Sequence, residues 1–340
     1  MLLRHKLFVT AMLVLAASTA AADAPRPWPP GGRSVGPGVC YGPHRDGQRP
    51  GGPDPTEAQL REDLHLIARH WGVLRLYGAG GPGETVLRVI RADSLGLKVV
   101  LGVWIAPEEH RDADGRVLER FPAAAAANAA EVDAAIRLAA AYPDVVAAVC
   151  VGNETQVSWS AHRSPLDILI GHVRRVRGGV AQPVSVADDF NFWNKPASRA
   201  LAAEVDFVIM HAHPMWNGLQ RAEALPWLDL RLAEVRALHP DRPVVLGETG
   251  WATSVAGHGE QAQLIKGTAD EAEQAQFAKD LRGWADAKSL AVFLFEAFDE
   301  NWKGGDDPAE VEKHWGVYGA DRAPKPAVAA LEAEDPQSGR

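Results

Sequence analysis

The 340-residue sequence contains only two cysteines, Cys40 and Cys150, and each lies within a short apolar run. So small a number excludes a fold that depends on a framework of disulfide bonds. One disulfide between the two is compatible with the sequence. The favoured prediction is that both are buried, unpaired thiols that pack as small apolar side chains.

Positive charge is scarce as well, since 35 lysines and arginines stand against 44 aspartates and glutamates, and the formal net charge is −9. Nucleic acids and anionic membranes bind to basic surfaces, so neither is expected as a partner. The remaining composition, with 46% hydrophobic and 23% charged residues, is that of a globular protein with a large core. A neutral substrate is compatible with this charge balance.

Beyond its N-terminus the sequence has no stretch of about 18 uninterrupted apolar residues, so the mature protein is not expected to insert into a membrane. Residues 1–24 have the pattern of a secretory signal peptide: Arg4–Lys6 are basic, Leu7–Ala17 form a short apolar core, and Ala22–Ala24 offer a cleavage site. An uncleaved anchor is the alternative. The expected mature protein is a secreted or periplasmic monomer.

From residue 36 onwards the sequence repeats one pattern, in which a short apolar run is followed by a polar or glycine-rich loop and then by a helix-like stretch. Most runs consist of continuous Val, Ile, Leu, Phe and Ala, which is typical of strands covered on both faces. The predicted strands are Gly38–Gly42, Val73–Tyr77, Lys98–Trp104, Val145–Gly152, Pro183–Ala187, Asp206–His211, Pro243–Gly247 and Leu290–Ala297. The predicted helices are Thr56–His70, Gly83–Leu95, Pro122–Tyr142, Pro165–Gly178, Gln220–Leu238 and Ala269–Lys288, with a short connection at Pro196–Ala203.

Eight strand-then-helix units in about 300 residues predict an α/β fold with a single (β/α)8 TIM barrel. The alternative is an open, doubly wound sheet with a second domain. The predicted catalytic domain extends over residues 25–333, and the polar residues 334–340 are expected to form a flexible tail.

Two glutamates follow predicted strands of this barrel. Glu154 comes at the end of the fourth strand, after Gly152 and Asn153, and Glu248 comes at the end of the seventh. Active sites of TIM barrels form at the carboxyl ends of the strands, so the two side chains are expected to face each other. Glycoside hydrolysis needs such a pair, with one carboxyl as proton donor and the other as nucleophile or base. The alternative is that both are structural residues, ion-paired with a group such as Arg75.

Aromatic residues are frequent at the same predicted edge of the barrel. Sugar rings present C–H faces that pack against flat aromatic rings, while their hydroxyl groups need polar partners. The aromatic residues at or just after strand ends are Tyr77, Trp104, Trp159, Trp193, Trp216, Trp251 and Trp302. For about half of them a structural role under the loops is expected instead.

Four segments of the sequence resemble the signature segments of glycoside hydrolase family 17, the β-1,3-glucanase family. They are GVCYG (38–42), VGNE (151–154), GETGW (247–251) and FEAFDENWK (295–303), and they occur in family order. The resemblance covers residues 36 to about 330. It implies a clan A TIM barrel and a retaining double displacement on β-1,3-linked glucan, in the manner of an endo-1,3-β-glucosidase.

The resemblance also implies roles for individual residues. Matched motif to motif, Glu154 would be the general acid/base and Glu248 the nucleophile. Asn153 would form a hydrogen bond to the 2-hydroxyl group of the sugar that is cleaved, and Glu300 and Lys303 would line the same cleft. A retaining mechanism requires the two carboxyl groups to lie about 5–5.5 Å apart.

The sequence departs from the family pattern after the sixth strand. Plant members have a Tyr-Pro pair there, whereas this chain has His211-Ala212-His213-Pro214. His213 is therefore the candidate for the residue that steadies the nucleophile. Two histidines on one strand face also allow a metal site, but the loop offers no obvious third ligand, so no metal is predicted and a substrate contact or a buried histidine is favoured.

The expected partner is a polysaccharide or oligosaccharide, and no cofactor is predicted. The predicted substrate-binding residues are Asn153, Tyr41, Tyr77, Trp104, His213, Trp216, Trp251, Glu300 and Lys303. A β-1,3-glucanosyltransferase that uses the same two glutamates is an alternative function, and a non-catalytic glucan-binding protein is another. A formal G-x-G-x-x-G match at Gly78–Gly83 is a weak dinucleotide signal, because the next strand ends in Val103-Trp104 rather than in an acidic residue.

Overall fold

Eight parallel strands close into a barrel in the computed structural model, which describes residues 24–29 and 36–333. The predicted tail and all of the predicted signal peptide except Ala24 lie outside these residues. Within the described part of the chain, no helix is long and apolar enough to cross a membrane.

The barrel strands follow one another in chain order, and each pairs in parallel with its neighbours until the last one closes on the first. The described residues contain ten strands: β1 (Gly38–Cys40), β2 (Val73–Arg75), β3 (Lys98–Val103), β4 (Glu109–Arg111), β5 (Val117–Arg120), β6 (Val146–Asn153), β7 (Val184–Asp189), β8 (Val208–His211), β9 (Val244–Thr249) and β10 (Val292–Leu294). All except β4 and β5 belong to the barrel. The predicted TIM barrel is therefore confirmed, and each predicted apolar run supplies one of its strands.

Helices connect the strands and cover the outside of the barrel. They are α1 (Glu57–Ile67), α2 (Gly83–Ala92), α3 (Pro122–Ala141), α4 (Leu166–Gly179), α5 (Phe190–Trp193), α6 (Arg199–Ala202), α7 (Arg221–Leu238), α8 (Gly259–Leu264), α9 (Glu271–Lys288) and α10 (Pro326–Ala333). The six long predicted helices are confirmed to within a few residues at each end. In α3 the cause is plain, because alanine has the highest helix propensity and Pro122 suits a first helical turn.

Strands β4 and β5 form an antiparallel hairpin that the sequence did not predict. The hairpin follows β3, so it rises from the end of the barrel that carries the candidate site. Its residues are mostly polar and exposed, and the short apolar signal that marks a buried strand is missing. Arg111 in β4 binds Asp167 in α4 through two hydrogen bonds of 2.9 and 3.0 Å, which fix the hairpin to the barrel.

Both cysteines lie in barrel strands, Cys40 in β1 and Cys150 in β6. Cys40 lies inside, since its thiol donates to the carbonyl of Gly247 at 3.3 Å across the barrel. Cys150 is also buried, and neither cysteine is paired. Burial raises the pKa of the Cys40 thiol to about 12, so the group stays neutral and acts as a small apolar side chain.

A buried ion-pair network joins the first helix to the C-terminal part of the chain. Asp63 in α1 is fully buried and accepts two hydrogen bonds from Arg322, at 2.9 and 2.8 Å. It also accepts from the hydroxyl of Tyr41 at 2.9 Å and from Arg45 at 2.6 Å. With four donors around one carboxylate, the cost of burying its charge is offset.

Candidate active site

The parallel strands deliver polar side chains to one mouth of the barrel. Arg75 ends β2, Asn153 ends β6 and is followed by Glu154, His211 ends β8, and Glu248 lies in β9. These strands are covered on both faces by apolar residues, so reactive polar side chains are expected only at their carboxyl ends. The predicted pair of glutamates therefore lies at a single site.

The backbone on either side of this site has unusual geometry. Glu154 adopts a left-handed conformation with φ of 49°, which is rare and costly for a residue other than glycine. The hydrogen bond from its amide to the carbonyl of Ala187, at 2.9 Å, helps to hold that conformation. Gly247 packs so closely that a Cβ atom there would lie 2.1 Å from Ile209, which explains the glycine before Glu248.

Glu248 is surrounded by hydrogen-bond donors. Its Oε1 accepts from Arg75 Nη1 at 2.5 Å and from the Tyr77 hydroxyl at 2.9 Å, and its Oε2 lies 3.4 Å from His213 Nε2. Arg75 also donates through Nη2 to Asn153 Oδ1 at 2.5 Å. One buried guanidinium therefore fixes both the carboxylate and the amide, and the ion pair with Arg75 that was weighed as a structural alternative is part of the site.

These neighbours decide the charge of Glu248. Burial alone would raise the pKa of its carboxyl, but the nearby nitrogens of His211, Arg75 and His213 hold that pKa well below its ordinary value. The same two effects act on His213 with opposite signs. Burial lowers the pKa of its imidazole, but the hydrogen bond and the charge of Glu248 raise that pKa overall. Glu248 is thus ionised at neutral pH.

Glu154 lies in a different environment from Glu248. Its side chain is 25% exposed, against 7% for Glu248, so it faces the open cleft. Its Oε1 is 3.0 Å from His211 Nδ1. One oxygen of each glutamate and one nitrogen of His211 lie within 4.8 Å of one another. Three such atoms are close enough to bind a metal ion, but Arg75 already neutralises Glu248 and would repel a cation.

A second cluster of charges lies beside this pair, at the end of β10. The Lys303 ammonium donates to Glu296 at 2.9 Å and pairs with Glu300 at 2.6 Å, and Trp302 Nε1 donates to Glu300 at 2.9 Å. Burial raises the pKa of Glu296, the largest effect on that group. Burial acts in the same direction on Glu300, but the charge of Lys303 brings its pKa below the ordinary value. Sequence reasoning assigned Glu300 and Lys303 to the cleft and missed Glu296.

The predicted aromatic residues differ in how far they are exposed. Trp104, Trp159 and Trp302 are 39%, 59% and 38% exposed, so they present ring surface to solvent. Trp216 is half-buried and Tyr77 contacts Glu248. The completely buried ones point away from the cleft; they are Tyr41, Trp193 and Trp251.

Tyr41 and Trp251 were both predicted to contact the sugar, and the structure corrects these two placements. Tyr41 directs its hydroxyl to Asp63 in α1, on the outside of the barrel. Trp251 donates through Nε1 to the carbonyl of Thr268 at 2.8 Å and packs against Phe277 in α9. Both rings fill space between strands and helices, so neither presents a face to a ligand.

Two further acidic residues, Asp188 and Asp189 at the end of β7, were not predicted to belong to the site. Burial is the main cause that raises the pKa of both carboxyl groups, to about 6 in Asp189, and the charge of Glu154 adds to it. Their signal in the sequence was the same as that of the two catalytic candidates, an acidic residue that follows an apolar run.

The glycine-rich segment after β2 binds a carboxylate of the protein itself. The amides of Ala79 and Gly80 donate to the two carboxylate oxygens of Glu131, at 2.6 and 2.9 Å. A dinucleotide phosphate would need these same amides. The segment therefore has a structural role at this end of the barrel.

An eight-stranded parallel barrel with paired glutamates at the ends of two strands defines the protein as a glycosidase of the TIM-barrel class. Residues 38–316 match the family model described as the BtgE/BtgC glycoside hydrolase domain. The chain belongs to this family.

Relatives with assigned names agree with this family. The glucan 1,3-beta-glucosidase of Arthroderma benhamiae is 30% identical, with 82% of this chain and 86% of the relative aligned. A protein of the same name from Schizosaccharomyces pombe is 26% identical, over 77% of this chain and 78% of the relative.

Solved structures share the fold. An endo-laminarinase from Formosa superposes with a TM-score of 0.70 at 24% identity, covering 85% of this chain and 84% of its own. A glycoside hydrolase family 17 β-1,3-glucanosyltransferase from Rhizomucor miehei gives 0.66 at 24% identity, covering 86% and 96%. The resemblance to family 17 that the four sequence segments indicated is confirmed.

Proposed function

We propose that this protein is a retaining glycosidase that cleaves β-1,3-glucan through a covalent glycosyl-enzyme intermediate on Glu248. The observation that carries the proposal is the pair of carboxyl groups, because an oxygen of Glu154 and an oxygen of Glu248 lie within 4.8 Å. Retaining enzymes have carboxyl groups about 5–5.5 Å apart, whereas inverting enzymes leave room for a water molecule between them. The names of the relatives support β-1,3-glucan as the substrate.

In the first step the Glu248 carboxylate attacks the anomeric carbon and the glycosidic C–O bond breaks. Glu154 gives its proton to the departing oxygen, so the leaving sugar departs as a neutral alcohol. Asn153 assists because Arg75 occupies its amide oxygen, which leaves the amide N–H groups free to donate to the 2-hydroxyl group. That hydrogen bond strengthens as positive charge develops on the sugar ring.

In the second step Glu154, now a carboxylate, removes a proton from a water molecule. The resulting oxygen nucleophile attacks the anomeric carbon, the ester bond to Glu248 breaks, and the product has the original β configuration. The exposed rings of Trp104 and Trp302 offer surfaces for neighbouring sugar units, and Glu300 and Lys303 offer hydrogen-bond partners for their hydroxyl groups.

Transfer to a second sugar is the alternative outcome of the same intermediate. Trp159, which is 59% exposed and follows Glu154 by five residues in the chain, offers a ring surface for such an acceptor sugar. The acceptor hydroxyl would take the place of water in the second step.

Purified protein incubated with β-1,3-glucan oligomers tests both outcomes. We expect shorter products whose first-formed reducing ends are β-anomers, followed by NMR, and products longer than the substrate wherever transfer competes. Initial α-anomers would contradict the retaining mechanism. If no product forms and Glu248→Ala binds glucan as tightly as the parent, the protein is a non-catalytic glucan-binding protein.

We also propose that the protein acts outside the cytoplasm, on the basis of the signal-peptide pattern of residues 1–24. Expression in a bacterial host followed by fractionation and N-terminal sequencing tests this. We expect a mature protein that begins at Pro25 in the periplasm or the medium. An intact N-terminus in the cytoplasmic fraction would contradict the proposal.

A further inference from the structure

His211 lies between the two catalytic glutamates and contacts one with each ring nitrogen. Its Nδ1 is 3.0 Å from Glu154 Oε1, and its Nε2 is 3.5 Å from Glu248 Oε1. The side chain has no exposed surface, and Nε2 has no partner at hydrogen-bond distance among the described residues. A polar nitrogen buried in this way is costly unless the nearby charge of Glu248 compensates it.

We propose that His211 is a positioning residue that keeps the catalytic proton on Glu154: the carboxylate of Glu248 fixes the ring hydrogen on Nε2, and Arg75, which already neutralises that carboxylate, leaves the imidazole neutral. Glu248 accepts hydrogen bonds only, so the nitrogen that faces it must carry the ring hydrogen. In a neutral ring Nδ1 is then an acceptor. The group 3.0 Å away, Glu154, has to be the donor, and it donates only when it is protonated.

The groups around His211 favour the neutral ring over the cation. Arg75 from β2 and His213 from the loop after β8 already place positive charge against the same carboxylate, and a third cation would be repelled. Tyr77 adds a neutral donor. Besides Glu154, the acidic groups that would favour the cation are Glu248 and Asp189; Arg75 neutralises Glu248, and burial raises the pKa of Asp189.

The ring is also held in place by its surroundings. A Cβ atom on Gly247 would lie 3.2 Å from His211 Cδ2, so the imidazole packs directly on the backbone that precedes Glu248. This contact limits rotation of the ring away from the two glutamates. His211 transfers no proton itself; the proton that reaches the leaving oxygen is that of Glu154.

This inference rests on the proposed function, and its first test depends on the leaving group. His211→Asn and His211→Gln are compared with the parent on a β-1,3-glucan oligomer, which needs acid assistance, and on a dinitrophenyl β-glycoside, which does not. We expect kcat on the oligomer to fall about 10- to 100-fold, part of the 10²–10⁴-fold effect of a general acid, with little change on the aryl glycoside. The alkaline limb of kcat/KM should move to lower pH.

A control variant and a second measurement complete the test. His239→Gln removes a histidine that is also buried but contacts Ser198 and Trp193, and it should leave the ratio of the two activities unchanged. Equal losses on both substrates, or an alkaline limb at higher pH, would overturn the inference. So would an ¹⁵N NMR spectrum of the parent in which His211 is cationic or carries its hydrogen on Nδ1. A parent that cleaves neither substrate contradicts the proposed function instead, and the spectrum still decides the tautomer.

Discussion

Arg75 holds two groups of the site at once, since it donates to both Glu248 and Asn153 from a fully buried position. A guanidinium presents two parallel donors in a rigid plane, whereas a lysine ammonium is a single point charge. One planar side chain therefore fixes the positions of both the Glu248 carboxylate and the Asn153 amide.

Arg75→Lys should lower kcat/KM for glucan by about 100-fold, because one ammonium cannot hold both partners and small misplacements of reacting groups have effects of that size. Steady-state kinetics on a glucan oligomer measures this. Arg137→Lys is the control, since that arginine forms an exposed ion pair with Glu84 and should behave as the parent does. A variant at Arg75 with parental activity would contradict the role assigned to it.

Asp189 has a pH-dependent effect on stability whose sign follows from its raised pKa. The folded protein keeps the proton up to about pH 6, whereas the unfolded chain loses it near pH 4, so the folded state binds more protons in between. Asp189 therefore contributes about 3 kcal/mol to the free energy of unfolding below pH 4, and this contribution is lost as the pH rises through 6.

Asp189→Asn should remove that dependence while it preserves the cap on α5, because asparagine caps helices as well as aspartate does. Urea unfolding between pH 4 and pH 7 measures the free energy of unfolding of both proteins. As the pH rises, we expect the free energy of unfolding of the parent to fall relative to that of the variant. A constant difference over this range would be the contrary result.

At the scale of elements, the loop after β10 and the loop after β1 line an open pocket of about 600 Å³. Asn301 donates to Asp46 at 2.8 Å and ties the two loops together. Trp302 lines the pocket and also contacts Glu300 of the site, so a sugar chain that leaves the catalytic centre can extend over this ring.

Trp302→Ala should therefore weaken activity on long glucan oligomers more than on short ones. An aromatic face contributes about 0.5–1.5 kcal/mol beyond the area it buries, so the ratio of kcat/KM for long and short oligomers should fall about 3- to 10-fold. Leu230→Ala, in α7 on the outside of the barrel, is a control that removes an exposed apolar side chain away from the site. Equal losses at every length would assign Trp302 to folding or to the catalytic centre.

The length of an element and the regularity of its residue pattern explain whether it could be predicted from the sequence. Barrel strands and long helices were found because continuous apolar runs and helix-forming stretches leave strong signals. The β4–β5 hairpin and the short helices α5, α8 and α10 were missed, since elements of three to eight residues are too short to show a clear periodicity.

Within the site, both glutamates were found because a carboxylate after an apolar run needs a reason to be there. The misplaced ring of Tyr41 has a physical cause: Cys40 points into the barrel, and the next side chain along a strand points to the opposite face. The bridging position of His211 could not be predicted, because it depends on distances between three strands that no single sequence motif encodes.

At the scale of the whole molecule, the network around Asp63 connects parts of the chain that are far apart in sequence. Its carboxylate is fully buried and pairs with Arg322, whose side chain is almost as buried. Breaking a buried pair by removing one charge leaves the other uncompensated.

Asp63→Asn should lower the free energy of unfolding by about 3–5 kcal/mol, and urea denaturation monitored by tryptophan fluorescence measures it. Glu57→Gln, which removes an exposed ion-pair partner in the same helix, should have a much smaller effect, because solvent screens exposed ion pairs. The folded fraction of Asp63→Asn should retain parental kcat, because the network does not touch the cleft. Similar losses in both variants would contradict the importance assigned to the buried network.

Because of this network, the fold extends further along the chain than the segment that contains the proposed catalytic residues. The family match ends at residue 316, after every group assigned to catalysis, yet Arg322 and α10 follow it. A chain shortened at residue 316 would keep the proposed catalytic side chains and lose Arg322, the more deeply buried of the two counter-ions of Asp63, together with the helix that packs on α9. Trimming the protein to its recognisable domain would thus yield a complete set of proposed catalytic residues on a barrel in which the buried Asp63 of the first helix has lost two of its four hydrogen bonds.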